Sequence, residues 1–355
     1  MYLFEKIKKI RPPNKEIQNI AKQYLDGLTK PIGSLGELEN IFIKLCCIFN
    51  TLDFDISKKN LLIFCADNGI TEENVSCCPK QYTYVVTNNF AKGITAINKL
   101  SEFAKNDITI IDIGIDAKIN NKKILNYKIN YGTKNFIKEP AMTYDECIRA
   151  ITVGFEFIEK LKKKGYRMLG TGEMGIGNTT TSAAIASCLL NISPEEVTGK
   201  GAGLDDNGLI NKINVIKKGI EKNCVDINDP IDVLRKVGGF DIAGMVGAFL
   251  GAAYFKVPIL IDGLISSAAA LVAYKINSNV KDYMFASHLS AEKAAKIILD
   301  YIGLHPILNL NLRLGEGSGC PLAFNIIDAG IYTLRNMATM EEANLNIDVY
   351  VDIRK

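Results

Sequence analysis

The residues best equipped for chemistry lie in two glycine-rich stretches far apart in the chain. Gly170–Thr181 reads GTGEMGIGNTTT, and Arg313–Gly319 reads RLGEGSG. The first follows a short apolar strand pattern and opens an Ala-rich helical pattern. Its glycines let backbone N–H groups approach a ligand, and a helix N-terminus attracts anions. A phosphate site is the natural reading; a tight strand-to-helix turn without a ligand is the alternative. Gly170, Gly172 and Gly175 also satisfy the spacing of a dinucleotide-binding turn. Glu173 lies inside that spacing, where its charge would oppose a pyrophosphate; it is better placed to accept hydrogen bonds from sugar hydroxyls. In the second stretch one carboxylate, Glu316, stands between Gly315 and Gly317, ahead of a helix from about Cys320. It reads as a surface side chain or as a general base that a substrate can approach. A helix N-terminus lowers a carboxyl pKa, whereas a base working near neutrality needs it raised. The second reading therefore requires desolvation to outweigh the dipole.

Weaker signals accompany these. Lys200–Asp206 (KGAGLDD) is a glycine-rich turn followed by Asn211 and Lys212, and Lys212 reads as a phosphate partner or as a solvated lysine. Gly238–Asp241 reads as a turn with a helix start. Ser287–Lys293 (SHLSAEK) reads as a helix start with Ser290 as N-cap, and His288 as a hydrogen-bonded structural residue, since no neighbouring motif supplies a triad.

The elements that must carry these residues alternate in type. Asn60–Ala66, Ile108–Ile113, Tyr166–Leu169 and Val257–Ile261 are apolar, β-branched runs without polar alternation, as in a parallel sheet covered on both faces. Thr179–Leu190, Asp241–Phe255 and Ala323–Met337 read as helices. Alternating strands and helices predict βαβ units, with ligands bound beyond the carboxyl ends of the strands. The loops after the predicted strands, Asp67–Gly69, Gly114, Gly170–Asn178 and Asp262–Gly263, are then the informative ones.

Composition narrows the function classes. The 355 residues are 48% hydrophobic and 23% charged, as in globular proteins rather than disordered or fibrous ones. A net charge of +3 gives no dense basic face for nucleic acid. The longest uncharged apolar run, Ile242–Phe255, is shorter than the ~20 residues of a bilayer span, so no membrane insertion is expected, and the start lacks the apolar core of a signal peptide. Nine cysteines with no CxxC read as reduced, mostly buried thiols in the cytoplasm. Neither His288 nor His305 lies near a cysteine cluster, so no metal is expected.

Taken in order, the motifs resemble one family, nicotinate-nucleotide:dimethylbenzimidazole phosphoribosyltransferase, of cobamide lower-ligand assembly. The resemblance runs from about Leu25 to Leu345 through Leu28–Glu39 (LTKPIGSLGELE), Cys65–Thr83, Asp112–Asp116, Gly132–Met142, Gly172–Thr180, Val237–Asp241, Ser287–Lys293, Arg313–Gly319 and Met337–Ala343. It implies an α/β fold: a Rossmann-like parallel sheet flanked by helices (about 45–300), with a small helical domain built from the N- and C-terminal segments (about 1–44 and 301–355). It also implies a homodimer with active sites near the subunit interface. The implied reaction moves phosphoribose from nicotinate mononucleotide to the ring nitrogen of 5,6-dimethylbenzimidazole, giving nicotinate and α-ribazole 5′-phosphate with inversion at the anomeric carbon. The pyridinium is already a good leaving group, so no cofactor is implied, and catalysis is positioning plus charge placement.

By this resemblance Glu316 matches the general base and Glu173 the acidic residue near the ribose and its developing positive charge. Gly175, Gly177, Asn178 and Thr179 match the phosphate-cradling turn, with Lys212 as its cationic partner. Gly263, Ser290 and Gly315 match positions at the nucleotide site. The acceptor pocket departs from the family pattern: Cys78 and Val86 stand where well-known members carry serine and glutamine, and Met174 is the third contact, leaving a more apolar, adaptable surface. Asn68 stands where many members carry histidine, and Thr181 where proline is frequent. Three alternatives follow: the same fold acting on another benzimidazole, a purine or a phenolic base; a non-catalytic nucleotide-binding partner subunit; or, from the lone glycine spacing, a nicotinamide-dependent dehydrogenase.

Overall fold

The four apolar runs become the middle of a seven-stranded sheet in the computed structural model, which describes residues 2–346 and Asp352. The strands are β1 (Lys59–Ala66), β2 (Asp107–Gly114), β3 (Ile124–Asn126), β4 (Met168–Met174), β5 (Ile259–Ile261), β6 (Met284–His288) and β7 (Pro306–Leu308). Their order is β3-β2-β1-β4-β5-β6-β7, and every neighbouring pair is parallel. The direction in which the chain adds strands reverses between β1 and β4, as in a doubly wound α/β fold. β1 and β4 are buried along their full length, which is why they lack polar alternation.

The helices are α1 (Tyr2–Ile7), α2 (Glu16–Asp26), α3 (Glu37–Phe49), α4 (Tyr82–Lys92), α5 (Ala96–Phe103), α6 (Tyr144–Lys163), α7 (Asn178–Leu190), α8 (Pro194–Val197), α9 (Asp206–Lys222), α10 (Pro230–Val237), α11 (Phe240–Phe255), α12 (Leu264–Ile276), α13 (Lys293–Ile302) and α14 (Gly319–Asn336). The apolar run without charges is indeed a buried core helix, α11, whose residues from Phe240 to Ala253 are all buried. Its contact with α6 depends on missing side chains. A Cβ on Gly247 would lie 1.9 Å from the Ile151 carbonyl oxygen, and one on Gly154 would lie 1.8 Å from that of Gly244. The two backbones therefore touch.

The segment around residues 24–30 meets residues 334–339 near α3. Leu28 bridges Thr339, Tyr24 donates to the Leu334 carbonyl at 2.9 Å, and the Lys30 ammonium lies 2.8 Å from Glu39 with both side chains buried. The segment after residue 301 also supplies β7 to the sheet and α14 to its cover. The last part of the segment expected in a small helical domain, residues 347–351 and 353–355, lies outside the described residues.

Two local expectations are corrected. The strand read as Tyr166–Leu169 begins at Met168 and runs on to Met174, so Gly170–Glu173 are strand, not loop. Register explains why: Gly170, Thr171, Gly172, Glu173 and Met174 pair with Leu61 to Cys65 of β1, and this ladder overrides the low strand propensity of glycine. The SHLSAEK segment does not begin a helix at Ser290. His288 ends β6, and α13 starts at Lys293 with Glu292 at its cap position. Ser290 Oγ instead accepts from the Glu292 N–H at 3.3 Å and donates to the Leu312 carbonyl at 3.5 Å.

Candidate active site

The carboxyl ends of β4, β5 and β6 open onto a cleft of about 230 Å³ beside the reversal in strand order. Glu173, Met174, Gly175, Gly177, Asn178 and Thr179 reach it from β4 and the turn into α7. Gly263, Ser290, Gly315 and Glu316 come from three later loops, and Cys78 and Val86 from the α4 side. Lys212 stands one layer back. Buried on α9, it donates to Thr179 Oγ1 at 2.7 Å and to the Gly199 carbonyl at 3.2 Å.

The two acidic residues meet because glycines let the Glu316 loop touch β4. A Cβ at Gly172 would lie 2.6 Å from the Glu316 carbonyl oxygen, and one at Gly170 would lie 2.9 Å from Cys320 Cβ. These glycines therefore seat the 315–320 loop on β4; they are not a dinucleotide turn. Gly315, Glu316 and Gly317 have φ of 78°, 61° and 86°, the left-handed region that glycine enters freely and glutamate rarely. A Cβ on Gly315 would lie 2.5 Å from Glu173 Oε1. In that tight bend the Glu316 N–H donates to Glu173 Oε1 at 3.3 Å.

Asp262, at the end of β5, fixes the same bend. Its carboxylate accepts from the N–H groups of Gly317 (3.1 Å) and Gly319 (2.8 Å) and lies 3.7 Å from His288 Nδ1. Behind Glu173, the Asn178 amide donates both to Glu173 and, at 2.9 Å, to Asp241 at the start of α11. In the sequence, Asp262 stands in a loop marked only by its place after a strand, and Asp241 in a segment that reads as a turn with a helix start; neither carboxylate stands out as a site residue. Gly263 and the Gly238–Gly239 pair beside them were the available signals. Asn68, at a departure from the family pattern, is fully buried against Gly175 and Gly239.

The electrostatics suit a site that handles positive charge near neutral pH. Burial pushes the Glu173 carboxyl up to about 8, with the Asp241 charge adding to the shift. Burial, with Asp262 adding, raises Glu316 to about 7. Burial also lifts Asp241 to about 6 and raises Asp262. Crowded carboxyls cannot all ionise, so the cleft holds protons that it exchanges near pH 7. Glu316 Oε2 is buried with no hydrogen-bond partner among the described residues, leaving an acceptor for an incoming N–H. At the other end, Lys212 is pushed down to about 8 by burial, opposed by the Glu292 carboxylate. Its two hydrogen-bond acceptors are neutral, so an anion at the α7 N-terminus would add to the Glu292 charge in balancing the ammonium.

The chain has close relatives among known proteins. A sequence family described as "Phosphoribosyltransferase" matches residues 10–345. The chain is 48% identical over 354 residues to the nicotinate-nucleotide--dimethylbenzimidazole phosphoribosyltransferase of Clostridium tetani, covering 99% of this chain and 98% of that one. It is 51% identical over 332 residues to the enzyme of the same name from Clostridium acetobutylicum, covering 94% of each. A crystal structure of CobT from Thermus thermophilus superposes with a TM-score of 0.89 at 33% identity, covering 93% of this chain and 99% of that one.

Proposed function

Because the chain belongs to the nicotinate-nucleotide:dimethylbenzimidazole phosphoribosyltransferase family, we propose that it transfers phosphoribose from nicotinate mononucleotide to 5,6-dimethylbenzimidazole or a related aromatic base. The products are nicotinate and α-ribazole 5′-phosphate, for the lower ligand of cobamides. The observation that carries this reading is the pairing of Glu316 and Glu173 in one cleft, both titrating near neutrality.

In this reading the 5′-phosphate sits at the turn from Gly175 to Thr179, with the Lys212 ammonium behind it. Glu173 faces the ribose and its developing oxocarbenium charge, held in place by Asn178. Glu316 takes the proton from the acceptor N–H as the ring nitrogen attacks C1′ on the face opposite the departing pyridine. Cys78, Val86 and Met174 border the acceptor. With no charged group among these three, acceptors beyond dimethylbenzimidazole fit as well, and a panel of bases ranks them. The homodimer implied by the family belongs to the same proposal. So does a small helical unit formed by the two chain ends around α2 and α3.

The deciding experiment is Glu316→Gln. Turnover falls at least ~100-fold, the usual reach of general base catalysis, while nicotinate mononucleotide still binds. Near-normal turnover by this variant would remove Glu316 from the base role.

A further inference from the structure

The chain has two pairs of adjacent cysteines, and the fold treats them differently. Cys46 and Cys47 lie in α3, where successive side chains diverge by about 100°; Cys46 is buried and Cys47 half-buried. Cys77 and Cys78 lie in the loop before α4, outside any helix, and their sulfurs face each other at 3.9 Å. Cys77 is exposed to solvent, whereas Cys78 is half-buried and lines the cleft together with Ser76, Tyr82 and Val86. The Cys78 N–H donates to Ser76 Oγ at 3.2 Å, which fixes the backbone between the two thiols.

We propose that Cys77 and Cys78 are a covalent modification site, oxidised by a hydroperoxide to a vicinal disulfide at the acceptor end of the cleft. The Cys77 thiolate, the accessible one, attacks the outer peroxide oxygen. The S–O bond forms, the O–O bond breaks, and the departing alkoxide or hydroxide takes a proton. The Cys78 sulfur then attacks Cys77 sulfur, expelling hydroxide, which leaves as water with the Cys78 proton. Two thiols and one hydroperoxide thus give one disulfide, one alcohol (or water) and one water. Burial and the neighbouring Cys77 thiol hold the Cys78 thiol above its usual range, so Cys78 resolves rather than initiates.

The consequence follows from where Cys78 stands. A disulfide brings the two sulfurs to about 2 Å, so closing the ring draws the Cys78 sulfur toward Cys77 and away from the wall it shares with Val86. The donor end, around Lys212 and the α7 turn, is untouched. This effect on the acceptor rests on the proposed function above; formation of the ring does not.

The test treats the full-length protein with hydrogen peroxide, blocks remaining thiols after denaturation, and measures the tryptic peptide 60–80 by mass spectrometry. The expected result is joint loss of two hydrogens and of alkylation at Cys77 and Cys78, reversed by dithiothreitol, with Cys65 of the same peptide still alkylated and Cys46 and Cys47 unlinked. In turnover, oxidation raises KM for the base roughly tenfold, the scale of one lost methylene-sized contact, and leaves KM for nicotinate mononucleotide unchanged. Cys77→Ser keeps the unoxidised activity and loses both responses. Separate sulfinic or sulfonic acids at the two positions, or continued alkylation of both, would overturn the site. A ring that forms without changing KM for the base, or equal peroxide inhibition of Cys77→Ser, would overturn its coupling to the acceptor. If no base is turned over at all, the proposed function fails while the mass measurement still decides the site.

Discussion

Glu316 resolves a conflict visible in its own sequence context. It precedes the N-terminus of α14, where the helix dipole favours a charged carboxylate, yet its carboxyl is raised to about 7 because burial and the Asp262 charge outweigh that dipole. A base must be ionised to act, so turnover should rise with pH through about 7; a profile flat from pH 5.5 to 8 would contradict the assignment. Lys212 carries the opposite sign. Its ammonium is pushed down to about 8 in the unliganded cleft, and a bound phosphate would favour the charged form. At pH 8.5, ribose 5-phosphate, which has no pyridinium to disturb the carboxyls, should therefore bind with proton uptake that Lys212→Met abolishes. Calorimetry in buffers of different ionisation enthalpy measures that uptake. The cleft residues were legible where glycine marked them: Glu173, Glu316 and the α7 turn. Asp241 was not, and Asp262 was legible only as part of a loop after a strand, because what they hold lies more than fifty residues away, at Asn178 and Gly317, and a single chain pattern does not encode that proximity.

Among the elements, legibility followed burial and length. β1 and β2, eight residues each, stand out as apolar runs, and so do α7 and α11. β3 and β7 have three residues each, with only one of those six fully buried, too short for periodicity to register. β6 is hidden because its polar end, Ser287 and His288, reads as a helix start. β4 reads as ending before Gly170 because glycine signals a turn, although here glycine marks close approach of another loop. The same glycines give a prediction at this scale. In Gly172→Ala the new methyl group meets the Glu316 carbonyl at 2.6 Å, and backbone, unlike a flexible side chain, cannot swing aside. The 315–317 bend must lift, costing about 2 kcal/mol of stability and misplacing Glu316. Turnover should fall more than tenfold while far-UV circular dichroism stays unchanged. A variant with normal stability and turnover would show that the bend is not seated as described.

For the whole molecule, gathering carboxyls at the end of the sheet sets stability against function. Glu173, Glu316 and Asp241 titrate at about 8, 7 and 6 in the fold, against ordinary values of 4.5, 4.5 and 3.8. At these three groups the native state therefore binds more protons than the unfolded chain between about pH 4 and 8. Stability falls wherever the native state is the more protonated; the contribution of these groups is complete below about pH 4 and is lost as pH rises through 8. The two most depressed lysines, Lys44 and Lys212, both at about 8, work the other way above that pH, so the informative window is pH 5 to 8. Glu173→Gln removes the largest of the three shifts. It also replaces an acceptor of the Asn178 amide, a cost that does not vary across the window, so the change in the difference between wild type and variant isolates ionisation. Relative to wild type, the variant should gain on the order of 2 kcal/mol between pH 5 and pH 8, read from urea unfolding at each pH, while losing turnover. A constant difference across the window would mean that Glu173 is already ionised at pH 5 and that the cleft does not store protons. A gain with rising pH would show that the unliganded enzyme gives up stability to keep this carboxyl buried in the cleft.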